Sequence, residues 1–421
     1  MFVYRNTGRQ GAIWLLLLAI ATGAHAGSLT REAAVAMGLE RNPEVIAARA
    51  EWQAARARAR IAWSPPDPTV GVEFEQLRRL DDLGEFGERS IGVNQTIESP
   101  VTWWLRGKAA DHEAEAVREA VFELTRLNVA SRVAIAFDRA LSRQQKLGYE
   151  VAHDSLLQEF ASKTGLRFVA GDVPALEVQR AEVEAARAAS RLLWARNELA
   201  MARVQLAALI GTKGGGDLED LEPSDRLPAL TLSLEELQQR GLQRRPDLRG
   251  ADRDLESHRA QQGASRAGLF PDLHVGVARQ TLRDAGGSES LWRFGLSLEV
   301  PLWAAGRQRG RLAEAKAAVV SREAQVERVR REVLLEVEMA YRGLMTAAAQ
   351  VKLFDERILQ EAEFARKSAS RSYEQGKATY LDVLDSQRTL LLTRTEYADI
   401  LLTYREAWTA LERASGGGLE R

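Results

Sequence analysis

Ser372-Tyr-Glu-Gln-Gly-Lys-Ala-Thr-Tyr-Leu-Asp-Val-Leu-Asp385 interrupts a proline-free run that extends from Pro301 to the C-terminus. Gly376 is the helix stop in this stretch. Thr379 restarts a helix as an N-cap with Asp382 three residues on, a capping-box pattern. The run therefore folds into a long helical hairpin with its tip here, and Asp382 and Asp385 share one face of the returning helix. A near copy lies 205 residues earlier, around Gly171.

That copy is one part of a duplication. The segment from Leu29 to Pro43 matches Leu232 to Pro246 at an offset of 203, with Glu32/Glu235, Gly38/Gly241 and Pro43/Pro246 in step. Pro66-Asp67 and Val70-Gly71-Val72 match Pro271-Asp272 and Val275-Gly276-Val277 at 205. Leu176, Glu177 and Val178 match Leu381, Asp382 and Val383 at that same offset. A period this long is a duplicated domain, not a solenoid repeat. The chain divides into a signal peptide at 1–26, a first repeat over 27–210, a linker over 211–228, a second repeat over 229–416 and a tail at 417–421. The signal peptide rests on a basic start (Arg5, Arg9), an apolar core from Ala12 to Ala21 and the small-residue site Ala24-His25-Ala26. The linker contains Gly214-Gly-Gly216 and reads as flexible.

Each repeat reads helix, strand, strand, long helix, tip, helix. The first helix is expected over Leu29–Trp63, with a break at Pro43. Val70, Val72 and Phe74 alternate with Gly71 and Glu73; Ile91 and Val93 alternate with Gly92 and Asn94. In the second repeat Leu273, Val275 and Val277 alternate with His274 and Gly276. Trp292, Phe294, Leu296 and Leu298 alternate with Arg293, Gly295, Ser297 and Glu299. These patterns predict strands of roughly eight to ten residues, enough for a tilted membrane span. Trp63, Trp103, Trp104, Trp292 and Trp303 are expected at strand ends, as in an aromatic girdle. The helices from Leu105 to Thr164 and from Arg307 to Tyr373 reach on the order of 90 and 100 Å at ~1.5 Å per residue. They return over Pro174–Ile210 and Thr379–Ala414.

The balance of 58 basic and 59 acidic residues argues against a nucleic-acid partner. There is no cysteine, hence no disulfide, no thiolate metal site and no lipid attachment through a thiol. Beyond the leader no apolar run is long enough for a membrane helix, so any spanning is by strands. His112, His153, His258 and His274 are scattered without metal-ligand spacing. No catalytic constellation and no cofactor motif is present, so no enzyme and no cofactor is expected.

Two readings of the strands compete: a small sheet packed on a helix, or a membrane sheet with one lipid face and one aqueous face. Glycine, serine, threonine, asparagine and charged residues on the second face favour the latter. Four strands cannot close a membrane barrel alone. Two or three copies give eight or twelve, and twelve leaves an aqueous lumen.

With Pro-Asp followed by Val-Gly-Val, Val300-Pro-Leu-Trp-Ala-Ala-Gly306 and Tyr373 to Asp385, the chain resembles the TolC family of outer-membrane efflux channels over nearly its whole mature length. The resemblance implies a mainly α fold with β: long coiled-coil hairpins forming a periplasmic α-barrel, and four strands per chain in a trimeric twelve-stranded outer-membrane β-barrel. It implies a homotrimer set in outer-membrane lipid and giving passive passage to the exterior. An inner-membrane pump and a periplasmic adaptor are the implied partners. It assigns Asp382 and Asp385 to a ring at the periplasmic aperture, where crowding is expected to raise some carboxyl pKa values. It assigns the tips Gly171-Asp172 and Gly376-Lys377 to adaptor docking. The rival reading is a pore-free periplasmic coiled-coil adaptor or tether. The substrate (heavy metal, drug or polypeptide) is not written in the sequence.

Overall fold

The computed structural model describes residues 28–76, 86–212, 214, 218, 221–223, 227–268, 271–284, 286–299, 304–375 and 377–419. The expected signal peptide, Gly376, Trp303 and the start of the 300–306 motif lie outside the described residues, as do Gly215 and Gly216 of the linker.

Proline and capping residues set the short helices. Thr30 caps α1 (Arg31–Arg41) by accepting from the Ala33 N–H at 3.2 Å. Asn42 ends α1 and caps α2 (Pro43–Ala62), accepting from the Glu44 N–H at 2.9 Å. Pro43 sits at the first helical position, where its missing N–H costs nothing. Two strands follow, β1 (Thr69–Glu75) and β2 (Glu88–Ile97). The chain then enters α3 (Pro100–Val117), passes a π-turn at Arg118–Glu123, and continues as α4 (Leu124–Val169) before returning along α5 (Ala175–Ile210). The second repeat follows the same plan. It comprises α6 (Leu234–Arg244) with a Ser233/Glu236 capping box, α7 (Pro246–Ala267), β3 (Asp272–Asp284) and β4 (Gly287–Glu299). Its hairpin is α8 (Ala304–Leu353), a π-turn at Phe354–Ile358, α9 (Leu359–Glu374) and α10 (Tyr380–Ala414).

The four strands form one antiparallel sheet in the order β1-β2-β3-β4. The two repeats join in it at β2–β3, with Val93 opposite Val277 and Asn94 opposite Gly276. β3 and β4 have 13 residues each, longer than the alternation predicts. Their outer ends still pair, Thr281 opposite Ser290 and Leu282 opposite Glu289, but carry polar residues on both faces, so no period-two signal marks them. Trp292 consequently lies inside β4, opposite Arg279, and not at a strand end.

The helical core is duplicated as well. Val129, Val133, Leu206 and Ile210 are buried in the first repeat; Val333, Val337 and Leu411 are buried in the second. Gly38 lies against Val133, and Gly241 against Val333 and Val337, so close that a Cβ on Gly38 would meet Val133 Cγ2 at 2.7 Å. Corresponding core residues are 204 apart (Val129/Val333, Val133/Val337), yet the tips are 205 apart. The π-turn at Phe354–Ile358 lies between core and tip and absorbs the extra residue.

The described part of the 211–228 segment is pinned. Gly211 caps α5 at φ 73°, Leu218 and Leu221 are buried in the first core, and Leu221 forms a parallel bridge with Leu29. The Tyr404 hydroxyl donates to the Pro228 carbonyl. Glycine content pointed to flexibility, but Leu218 and Leu221, which follow the glycines, have apolar surface to bury.

Candidate functional site

The two hairpin tips are built alike. At the first, the Asp172 N–H donates to the Arg167 carbonyl at 2.9 Å, and Gly171 is left-handed at φ 83°. At the second, the Lys377 N–H donates to the Ser372 carbonyl at 2.8 Å, the same bond 205 residues on. Each is the six-to-one closure of a helix C-terminus. Asp172 and Lys377 are exposed, and the Lys377 ammonium reaches Gln375 Oε1 at 3.1 Å.

Asp382 and Asp385 are both exposed in the first turns of α10. Asp382 Oδ2 accepts from the Thr379 hydroxyl and from the Thr379 N–H, each at 2.7 Å, and the Asp382 N–H donates to Thr379 Oγ1 at 3.3 Å. These hydrogen bonds hold the Asp382 carboxyl below the usual aspartate range. Within one chain the direction is therefore downward; the crowding expected of a ring is a property of assembled copies. No such cap engages Asp385 among the described residues.

An aromatic cluster beside the tips was not read from sequence. Tyr380 stacks on Phe160 at 4.4 Å, Tyr373 approaches Phe160 at 6.3 Å, and Arg167 donates to the Tyr373 hydroxyl at 2.5 Å. It ties α4 of the first repeat to α9 and α10 of the second. Burial pushes the Tyr380 hydroxyl up to about 12, with Glu184, Tyr373 and Glu177 adding to the shift. The available signal was the pair Tyr373 and Tyr380 flanking the tip motif.

At the other end of the molecule the sheet has two unlike faces. One is apolar and exposed: Val70, Val72, Ile91, Val93, Ile97, Val277, Trp292, Phe294, Leu296 and Leu298. The other carries Gly71, Gly92, Gly276 and Gly295 in adjacent rows, with Glu73, Ser90, Asn94 and Arg293 beside them. On this polar face Arg293 bonds Glu88 at 3.0 Å and Gln280 at 3.1 Å. The His274 Nδ1 lies 3.0 Å from Thr96 Oγ1 and its Nε2 3.6 Å from Glu299. The outer edges of β1 and β4 have no strand partner among the described residues. Trp63 and Trp103 pack edge-to-face at 5.2 Å where the sheet meets the helices, with Trp104 exposed beside them.

A long helical body, a two-faced sheet and paired tips are thus on one duplicated chain. The profile of the family described as outer membrane efflux protein matches residues 35–212 and 237–417, both repeats in turn. The chain belongs to the outer membrane efflux protein family. Within it, the chain is 26% identical over 391 residues to the cobalt-zinc-cadmium resistance protein CzcC of Cupriavidus metallidurans, covering 93% of this chain and 91% of that one. It is 25% identical over 402 residues to the cation efflux system protein CusC of Escherichia coli O157:H7, covering 92% and 86%. It is 28% identical over 410 residues to the toluene efflux pump outer membrane protein TtgF of Pseudomonas putida, covering 91% and 82%. Among solved structures, CusC superposes with a TM-score of 0.77 at 23% identity over 92% of each chain. The CmeC outer membrane channel of Campylobacter jejuni superposes with 0.75 at 16% identity, over 98% of this chain and 94% of that one. The fold of this efflux protein is that of these channels. It is an outer-membrane channel component of an efflux system, with a large periplasmic helical portion, and the pore-free adaptor reading is not favoured.

Proposed function

We propose that three copies close one twelve-stranded barrel, β4 of each pairing with β1 of the next, and that the helical hairpins form one tunnel beneath it. The open edges of β1 and β4 carry this reading. An unpaired edge beside an exposed apolar face is an aggregation hazard in water, and closure in a membrane removes both liabilities. Transport through the assembly is passive, and no step of it is catalytic. An inner-membrane pump supplies the energy, and a periplasmic adaptor docks on the tips at Gly171, Asp172, Gly376 and Lys377. Asp382 and Asp385 from three chains ring the periplasmic aperture.

The substrate class proposed is cationic. Glu73, Glu75, Glu88, Asp272, Glu289 and Glu299 share the polar face with one arginine, Arg293, which is paired to Glu88. Acidic linings select cations. CzcC and CusC are named for cobalt-zinc-cadmium resistance and cation efflux, which agrees with this sign. The test is outer-membrane fractionation with crosslinking, followed by reversal potentials in planar bilayers under a salt gradient. Crosslinked trimers and a cation-selective potential are expected. A soluble monomer overturns the channel, and an anion-selective potential overturns the substrate class.

A further inference from the structure

The duplication relates the strands as well as the helices. β1 maps onto β3 at an offset of 205, Gly71 onto Gly276, and β2 maps onto β4 at 203, Gly92 onto Gly295. Register transfers between the two hairpins without a slip. Gly71 opposite Gly92 in the first becomes Gly276 opposite Gly295 in the second, and Thr69 opposite Asn94 becomes His274 opposite Ser297.

The joint between the repeats, β2 against β3, has no counterpart within the chain. Its counterpart is β4 against β1 of a second copy, the two strands whose outer edges are open. Carried through the same offsets, Val93 opposite Val277 becomes Leu296 opposite Val72 of the next copy. Asn94 opposite Gly276 becomes Ser297 opposite Gly71, and Ser90 opposite Gln280 becomes Arg293 opposite Glu75.

The free edges are shaped for this register. At the joint between the repeats both glycines are covered. A Cβ on Gly276 would strike Asn94 Oδ1, and one on Gly92 would meet the Ala278 Cβ at 2.8 Å. Their counterparts at the edges are bare. A Cβ on Gly71 would meet nothing within 4 Å, and one on Gly295 only the Gly276 carbonyl at 4.0 Å. In the transferred register Ser297 of one copy covers Gly71 of the next, and Glu73 of that copy covers Gly295.

The side chains match as well. On the apolar face Phe294, Leu296 and Leu298 meet Phe74, Val72 and Val70. On the polar face Glu75, whose carboxylate has no partner among the described residues, meets Arg293. Arg293 spends Nε on Gln280 at 3.1 Å and Nη2 on Glu88 at 3.0 Å, which leaves Nη1 without a bond among the described residues. One guanidinium can therefore tie β2 of its own copy to β1 of the next. We propose that each seam of the trimer repeats the register of the joint between the repeats, Leu296 opposite Val72 of the next copy, and that an Arg293–Glu75 ion pair closes each seam on its aqueous face.

The inference rests on the twelve-stranded closure, so amine crosslinking reports assembly in every sample. The chain has no cysteine, and introduced pairs are its only thiols. L296C/V72C and S297C/G71C are adjacent pairs of opposite hydrogen-bonding type, so one of them has the closer spacing. Oxidation in outer membranes is expected to give covalent trimers with both. The shifted pairs L296C/V70C and L296C/F74C keep the faces matched but move the partner ~6.8 Å along the strand, beyond disulfide reach, and should give roughly tenfold less. Should a double variant fail to assemble, co-expressed single-cysteine chains supply the same pair. A stronger crosslink at a shifted pair, or none at any pair in samples that amine crosslinking shows to be trimeric, overturns the register alone. A wild type that stays monomeric overturns the closure itself. For the ion pair, E75Q and R293Q should each speed heat dissociation of the trimer several-fold, and the double variant should dissociate no faster than R293Q. Additive effects overturn the ion pair.

Discussion

Arg167 and Tyr373 meet at 2.5 Å, guanidinium donating to phenol oxygen, and join the tip of the first hairpin to the tip of the second. The guanidinium also lies 5.9 Å from the centre of the Tyr373 ring. Hairpins that must part to widen an aperture have to give up this contact. Tyr373→Phe removes the acceptor and leaves the ring. A hydrogen bond worth about 0.5–1.5 kcal/mol shifts an open–closed ratio by roughly two- to tenfold. Single-channel recordings should show open probability rising by that factor, with helix content unchanged by circular dichroism. An unchanged open probability would show that the tips part elsewhere.

Asp382 and Asp385 differ in what they do within the chain, and this separates gate from cap. Asp382 is engaged by Thr379, so Asp382→Ala should fray the start of α10. Asp385→Ala should leave the helix start intact and lower cation selectivity in bilayers. The Asp382 carboxyl is held low by the Thr379 hydroxyl and N–H, so its capping contribution is present above the unfolded aspartate pKa of about 3.9. That contribution is lost as pH falls through the lower folded value. Amide exchange at Thr379 should therefore quicken, relative to the intrinsic rate, only below about pH 4. Loss of protection at pH 6 would contradict the cap.

Much of this architecture is legible in the residues because each signal is local. Pro43 and Pro246 end helices by their own chemistry, and Val70, Val72 and Phe74 declare a strand by alternation. Thr379 and Asp382 spell a cap that the structure contains. What escaped is non-local or lacks contrast. The outer ends of β3 and β4 carry polar residues on both faces. The π-turn at Phe354–Ile358 is visible only as a one-residue slip between core and tip offsets. Phe160 and Tyr380 belong to different repeats, and nothing near either names the other. Leu218 and Leu221 follow the Gly214-Gly-Gly216 run, and their burial makes part of the expected linker a piece of the first core.

Gly171 and Gly165 form a matched pair for the tip. Neither has an atom within 4 Å of where a Cβ would stand, so packing does not enter. Gly171 has φ 83°, which an L-residue adopts at a cost of about 1–2 kcal/mol. Gly165 lies inside α4, where alanine is better than glycine by ~1 kcal/mol. Gly171→Ala should loosen the tip, and Gly165→Ala should firm the turn before it. Amide exchange across residues 165–175 should move in opposite directions for the two variants. If the tip docks an adaptor, Gly171→Ala should also weaken that binding more than Gly165→Ala does.

The largest stability effect is expected at Arg245, where the duplication breaks its own symmetry. Its counterpart Asn42 caps α2 and donates to the Leu209 carbonyl at 3.0 Å. Arg245, only 3% exposed, instead bonds Asp247 at 2.9 and 2.6 Å and Glu336 at 2.6 Å. Arg413 reaches the same Glu336 oxygen at 3.2 Å. Burial works against the Arg245 charge, but the two carboxylates more than offset it, and its pKa is raised. For Asp247, burial pushes the carboxyl up, and the Arg245 bonds outweigh it to leave the value low. Arg245→Ala removes the cation and strands the partly buried Asp247, while the more exposed Glu336 keeps Arg413, a loss of about 3 kcal/mol. Arg245→Met restores volume without charge and should remain unstable unless Asp247 is also neutralised, Glu336 keeping Arg413 as its partner. The depressed Asp247 carboxyl contributes stability above about pH 3.9 that disappears as pH falls through its folded value. Denaturant titrations of the assembled protein should show the wild type losing its advantage over Arg245→Ala on acidification below about pH 4, and keeping it undiminished from there to neutrality. An advantage that persists in acid would assign the loss to packing and not to the ion pairs.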